Sequence, residues 1–500
     1  MPKRPLLILV CTTCLFAFQS NTAQKFIITP DVQVALDHIR PDSLRGDLSF
    51  IASDLLEGRN TPSRGLDLAA EYIAAQFRRA GLEAGGDDGY FQTARMAVLE
   101  QNTEGFELKL SQGDRAMSAG PNDVVVNAGA ALDLKDAAVF KLDMSDQSLV
   151  EGLTPEQLAG KVILLEMARG GQGNARAVFQ KLREAKPALT ITLSRAALRR
   201  PREGQLTDPA LASTVPPRIT LSGEAAAGFY DALKPGLSGA VASIHLVTPR
   251  QTPVTPRNVI GVLRGSDPVL RDTYVLVTAH YDHLGIRAEG TGDRIYNGAN
   301  DDGSGTVSVM ELARALATLK QHPRRSIVFM TFFGEEKGLL GSRYYADHPV
   351  FPIEKTVGQL NLEQVGRTDD SEGPQVASAT VTGFDYSTLT DSVVAAGELS
   401  GIKIYKHPRN SDTYFFASDN ASLAAVGVPA HTVGVTFQFP DYHGVGDEWP
   451  KVDYENMAKV DRMAALAVVM LANSDEAPRW NEGNPKTAPY VKAWKERRGK

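Results

Sequence analysis

"TYVLVTAHYDHLG", residues 273–285, changes character halfway, where an apolar, β-branched run gives way to two histidines flanking an aspartate. A continuous apolar run of this length suits a parallel strand covered on both faces. "HYDH" then falls where that strand ends. The same texture recurs downstream: "SIVFMTFF" reads as a second buried strand, "TVGQLNL" as a third and "GVPAHTVGV" as a fourth. Between the first two, "SGTVSVMELARALATL" sets Val309, Leu312, Ala313, Leu316 and Leu319 on one helical face. Strands alternating with helices predict an α/β domain over residues 251–475, a mainly parallel central sheet flanked by helices.

Upstream the patterns differ. Residues 24–104 read as a helical start to the same domain, with Leu68, Tyr72, Ile73 and Phe77 of "DLAAEYIAAQFRRAGL" at helical spacing before Gly81. Residues 105–250 change to short apolar runs separated by turn residues ("DVVVNA", "AAVFKL", "KVILLEM", "ALTITL"), which predicts an inserted, strand-rich domain. "TPRQTPVTPRN" then reads as a linker or an extended entry strand. Residues 476–500, polar, proline-bearing and basic at the end, are expected to form a C-terminal surface extension. No internal repeat is evident.

The chain of 500 residues is too long for one typical core, and its 43% hydrophobic and 22% charged residues are those of an ordinary globular protein. It opens with Lys3 and Arg4, an apolar stretch from Leu6 to Phe18, then small and polar residues. That pattern predicts a signal peptide over residues 1–23, hence a secreted or periplasmic protein with no membrane span after cleavage. An uncleaved anchor, or a lipoprotein built on Cys11 or Cys14, fits less well. These are the only cysteines, so the remaining chain could hold no disulfide, thiolate nucleophile or cysteine metal site. Losing Lys3 and Arg4 moves the formal charge from −6 to −8, which argues against nucleic acid as a partner.

Ligands in open α/β sheets collect beyond the carboxyl ends of the strands, so the residues just past each predicted strand carry the most information. Past the first come His280, Asp282 and His283; past the second, Gly334, Glu335 and Glu336; past the third, Glu363; past the fourth, His443 of "DYH". "NGANDDGSG" adds Asp301 and Asp302 just before the helix. Each alone is commonplace: an acidic pair at a helix start or two adjacent glutamates usually face solvent. Their recurrence at the strand ends of one sheet is not. Two histidines and three carboxylates suit a pair of divalent ions, and the absence of thiolate favours zinc, with cobalt or manganese as alternatives. One carboxylate can bridge two ions about 4 Å apart while each ion takes a histidine and a terminal carboxylate, which leaves one carboxylate over as a general base.

"AHYDHLG", "NGANDDGSGTVSVMELARAL", "FFGEEKGLLGS", "NLEQVGR" and "DYH", in that order, resemble the M28 family of zinc metallopeptidases. The amino-terminal "IASDLLEGRNTPSRGLDLAAEYIAAQF" extends the resemblance, and the segment 105–250, with "LAGKVILLEM", is similar to the protease-associated domain inserted in such enzymes. The resemblance implies two zinc ions per chain, His280 and Glu363 on one, Glu336 and His443 on the other, and Asp301 bridging. It implies Glu335 as the general base and Asp282 as the residue that accepts the other imidazole N–H of His280. Asp302 would be a neighbour, not a ligand. At Asn420, within "ASDNASLAAVGVPA", the chain departs from the Ser-Asp-His that related sequences often show, which bears on substrate contacts near Asp419.

Hydrolysis of peptide substrates is thus expected, most simply by an aminopeptidase. A carboxypeptidase would need a positive pocket, for which Arg367 or Arg409 is available; a glutaminyl cyclase would use one zinc; a binding protein on this fold would not need Glu335. The oligomeric state is not encoded in these patterns.

Overall fold

The computed structural model describes residues 26–166, 172–198, 204–212 and 216–499; the signal peptide expected at residues 1–23 lies outside them. Helix α1, Arg64–Arg79, starts where the Ser63 hydroxyl accepts the Leu66 N–H, a side-chain cap on an otherwise orphaned donor. Its buried stripe is Leu66, Ala70, Ile73 and Phe77, whereas Leu68, expected on that stripe, is 42% exposed. The shift is under one turn: Leu66, not Leu68, keeps the i, i+4, i+7 spacing to Ile73.

The next elements used below, in chain order, are β1 (Met96–Glu100), β2 (Gln205–Thr207), β3 (Arg250–Val254), β4 (Arg257–Leu263) and β5 (Tyr274–His280). They are followed by α2 (Gly305–Leu316), β6 (Ser326–Phe332), β7 (Thr356–Leu362), β8 (Ser378–Val381) and α3 (Leu389–Ser400), then β9 (Lys403–Tyr405), β10 (Ala430–Gly434) and α4 (Tyr454–Asn473).

Seven strands of the nine-stranded main sheet run β4-β6-β5-β7-β10-β8-β9, with two short strands, Glu83–Ala84 and Phe91–Thr93, also paired to β4. It is mixed, not mainly parallel as the apolar runs predict. The inner strands β6, β5, β7 and β10 are mutually parallel. On their flanks β4 is antiparallel to β6, and β8 is antiparallel to β10. An uninterrupted apolar run reports burial on both faces, which any strand of a sheet covered by helices experiences whatever its direction. Strands β5, β6 and β7 are indeed buried at every position. Helix α2 is buried almost all round, with Val309, Leu312, Ala313 and Leu316 wholly inaccessible, so it serves as core and not as a surface cover.

Strands between Glu107 and Leu246 form a second, eight-stranded sheet with its own apolar clusters, one around Leu110, Val162, Ile191 and Ala242, the other around Leu142, Ile163, Leu165 and Val178. A small sheet, β2-β1-β3, brings β2 from this region back against β1. The expected surface extension is partly core: Trp480 and Tyr490 are buried and pack together near Phe415. Apolar area of two large aromatic rings outweighs the polar character of the segment around them. No helix among the described residues is long and apolar enough to cross a membrane.

Candidate active site

The carboxyl ends of β5, β6 and β7 converge, and the side chains just beyond them meet. Strand β5 delivers His280, and the chain beyond it buries Tyr281, Asp282 and His283 as well. After β6, Gly334 adopts φ 66°, a conformation that favours glycine, and the turn sends the two glutamates apart. Glu335 faces His280, with Oε2 4.0 Å from Nε2. Glu336 faces the other way, its Oε1 2.8 Å from His283 Nδ1 and its Oε2 3.4 Å from His443 Nε2.

Asp301 stands between. One of its oxygens is 3.4 Å from His280 Nε2 and the other 3.0 Å from His443 Nε2. Ligand atoms of His280, Asp301 and Glu363 lie within 4.8 Å of one another, as do those of His283, Asp301 and Glu336, so Asp301 belongs to both groups. The five residues expected to hold metal, His280, Asp301, Glu336, Glu363 and His443, are therefore brought together. No role follows for His283 from the sequence pattern, yet the structure sets it in the second group, fully buried and 5.7 Å from the His443 ring. Its place in "HYDH" was the available signal, but spacing alone does not say which imidazole faces which carboxylate.

Asp282 sits behind this cluster. Its Oδ1 accepts the backbone N–H of Glu335 at 3.0 Å and lies 3.6 Å from His280 Nδ1. The nearer acceptor for that imidazole nitrogen is the Asp282 backbone carbonyl, at 3.2 Å. Asp302, joined to Asp301 by a cis peptide bond, is in neither group: its carboxylate accepts N–H bonds from His280, Gly305 and Gln364, tying three segments together. Asp447, which the sequence reading missed, accepts the backbone N–H groups of Asn300 and Asp301 at 3.0 Å. Because it acts on backbone, no side-chain pattern announces it. Tyr442 stacks on His443 at 4.1 Å between ring centroids.

The electrostatics are those of a site built for cations. Burial pushes Glu335 well above the usual carboxylate range, against the pull of His280 and helped by Glu363 and Asp419. Burial likewise raises Glu363 to about 7. Glu336 is held down at about 2 despite burial, because the imidazoles of His283 and His443 lie beside it. Burial opposes ionisation of His443, but Asp301 and Glu336 outweigh it and lift the imidazole to about 10. Four carboxylates crowd three imidazoles, all but His443 largely buried, an arrangement that divalent ions relieve. The donor set fits zinc. His280 Nε2 and Glu363 Oε2 are buried without a hydrogen-bond partner, as expected of atoms aimed at an ion, and all donors are nitrogen or oxygen.

Neither arginine considered for a substrate carboxylate is free. Arg367 is buried between Asp369 and Asp441, and Arg409 pairs with Glu372. Asn420 is buried too, donating to the Phe415 carbonyl and accepting from the Thr432 hydroxyl, so it serves as an internal brace.

Residues 258–468 match the model of Peptidase family M28, the span that contains every residue of this cluster. Over this span, somewhat under half of its length, the chain is similar to Peptidase family M28. It is 33% identical over 201 residues to a probable zinc metalloprotease of Leptosphaeria maculans, a match covering 40% of this chain and 44% of that protein. It is 35% identical over 113 residues to the aminopeptidase YwaD of Bacillus subtilis, 22% of each chain. The chain thus spans at most about half the length of the curated relatives it matches. Its fold resembles that of an aminopeptidase from Aneurinibacillus sp. strain AM-1, with TM-score 0.53 and 19% identity over 90% of this chain and 97% of the other.

Proposed function

We propose that this protein is a di-zinc aminopeptidase that removes amino-terminal residues from peptides. The observation that carries the reading is the sharing of Asp301 between two groups of ligand atoms, with Glu335 beside His280 yet in neither group. His280 and Glu363 would hold one ion and Glu336 and His443 the other, with Asp301 between them. His283, packed on Glu336, would orient that carboxylate or join its ion. When bound, the pair of ions supplies Lewis acidity, lowering the pKa of water and polarising a scissile carbonyl. Glu335 takes the proton of the attacking water and passes it to the leaving amine. Burial raises its pKa, the direction that helps a carboxylate hold the proton it must later release. Asp282 fixes Glu335 through its backbone N–H and faces the imidazole of His280, so one carboxylate orients both base and ligand.

The ion-paired state of Arg367 and Arg409 supports an aminopeptidase over a carboxypeptidase, and a shared Asp301 supports two ions over the single zinc of a glutaminyl cyclase. We further read residues 1–23 as a cleaved export signal and the sheet between Glu107 and Leu246 as a protease-associated-like module. The deciding experiment is a panel of peptides with free or acetylated amino termini, assayed with and without a zinc chelator. Cleavage should require the free amine and vanish with the chelator; equal cleavage of acetylated peptides would overturn the aminopeptidase reading.

A further inference from the structure

Arg59 ends the "IASDLLEGR" stretch, and the chemistry above leaves it without a role. Its side chain is wholly inaccessible to solvent. The guanidinium donates from Nε to the Tyr281 carbonyl at 2.8 Å, from Nη1 to the carbonyls of Ile51 at 2.5 Å and Asn297 at 2.7 Å, and from Nη2 to that of Gly298 at 2.9 Å. Its own carbonyl accepts the N–H of His283 at 3.2 Å. Tyr281 lies between His280 and Asp282, and Asn297 and Gly298 lie just before Asp301. One side chain therefore fastens the segment carrying two imidazoles of the site to the segment carrying the shared carboxylate.

The backbone is bent to make this possible. Glu57, Gly58 and Arg59 all have left-handed φ, at 50°, 67° and 49°. A Cβ at Gly58 would come within 2.5 Å of the Tyr296 carbonyl oxygen and 2.7 Å of that of Gly285. Such conformations persist where the surroundings over-determine them and cluster at functional sites. The partners are equally telling. All four acceptors are carbonyls, so no single carboxylate neutralises the charge, and the field of the guanidinium reaches Asp282, Asp301, Asp302 and Asp447 together. Burial lowers its pKa only to about 10, which leaves it charged at neutral pH.

We propose that Arg59 is a positioning residue for the zinc centre: it locks the His280 and Asp301 segments into ligand geometry and offsets part of the carboxylate excess beneath them. The role depends on a planar fork that spans four acceptors, which an ammonium cannot do. This inference rests on the di-zinc reading. The test uses the full chain, stripped of metal and titrated with zinc against a chromophoric chelator, in the wild type, R59K, R59M and the core variant I73A, with melting curves for each. Arg59→Lys keeps the charge and most of the volume; Ile73→Ala loses stability at a buried site in α1. Zinc affinity should fall roughly 10–100-fold in both Arg59 variants, the loss usual when outer partners of metal ligands are removed, and stay at the wild-type value in I73A. Wild-type affinity in R59M, an equal loss in I73A, or failure of both Arg59 variants to fold at saturating zinc would each overturn the role. A wild type that binds no zinc would overturn the underlying metallopeptidase reading, and this inference with it.

Discussion

Asp282 Oδ1 accepts the backbone N–H of Glu335 at 3.0 Å across the space between two strand ends, while lying 3.6 Å from the imidazole of His280. One buried carboxylate thus couples Glu335 to His280, the base and a ligand of the proposed mechanism. Replacing it by Asn keeps the shape but removes the charge that supports the imidazole. D282N should lower kcat/KM roughly 10–100-fold and weaken zinc binding by a similar factor. Steady-state kinetics beside a zinc titration measure both, and an unchanged kcat/KM would remove Asp282 from the machinery.

The proposed mechanism gives Glu335 and Glu336 separate duties, base and ligand. E335Q should keep its zinc, counted by elemental analysis, yet lose about 10²–10⁴ in kcat. E336A and H443A should bind less zinc per chain. Near-normal turnover in E335Q would sink the assignment of the base.

The di-zinc proposal links metal binding to stability. An ion that binds only the folded state stabilises it by about 2.7 kcal/mol at a free concentration 100 times Kd. Stripping zinc should lower the melting temperature, and adding it back should restore the wild-type curve. A melting curve indifferent to chelation would contradict a metal centre built from buried carboxylates.

Asp461, in helix α4, offers a pH test on a residue outside the cluster. It is fully buried, burial raises its pKa from 3.8 to about 8, and its neighbours are Ser308, Glu311 and Arg462. A folded-state pKa above the unfolded one means that the folded protein binds the extra proton. The stabilisation is complete below the unfolded pKa and is lost as pH rises through the folded value, so this residue makes stability decline between about pH 4 and 8. D461N should be the more stable protein at pH 8, by at least about 1.4 kcal/mol, the worth of one pKa unit. Denaturant unfolding at pH 5 and pH 8 checks it: the gap between variant and wild type must widen with pH.

The inner strands and the cluster of polar groups at their ends were readable because apolar runs and the groups that follow them are local features. The flanking strands were not: the four apolar runs β5, β6, β7 and β10 are mutually parallel, whereas antiparallel β4 opens on Arg257 and Asn258 and β8 has only four residues, too little pattern to announce either. His283 escaped because two imidazoles three residues apart look alike until the chain path aims them. Asp447 and Arg59 escaped for another reason. Both act on backbone groups far away in sequence, Arg59 on carbonyls more than two hundred residues distant, and such pairing leaves no periodic trace. Trp480 and Tyr490 show the converse error, in which a polar average hides two rings that find a core.

In the small sheet, β1 and β3 are antiparallel neighbours with Glu100 opposite Arg250. The chain leaves for the second sheet and returns at adjoining positions, as the two legs of a hairpin do. A tight turn could join those two residues directly, so the whole excursion is topologically a decorated loop, exchangeable without rethreading the strands that carry His280 and Glu363. Only β2 would be lost with it. Lineages could trade that loop for a larger, smaller or different one while the catalytic sheet kept its path.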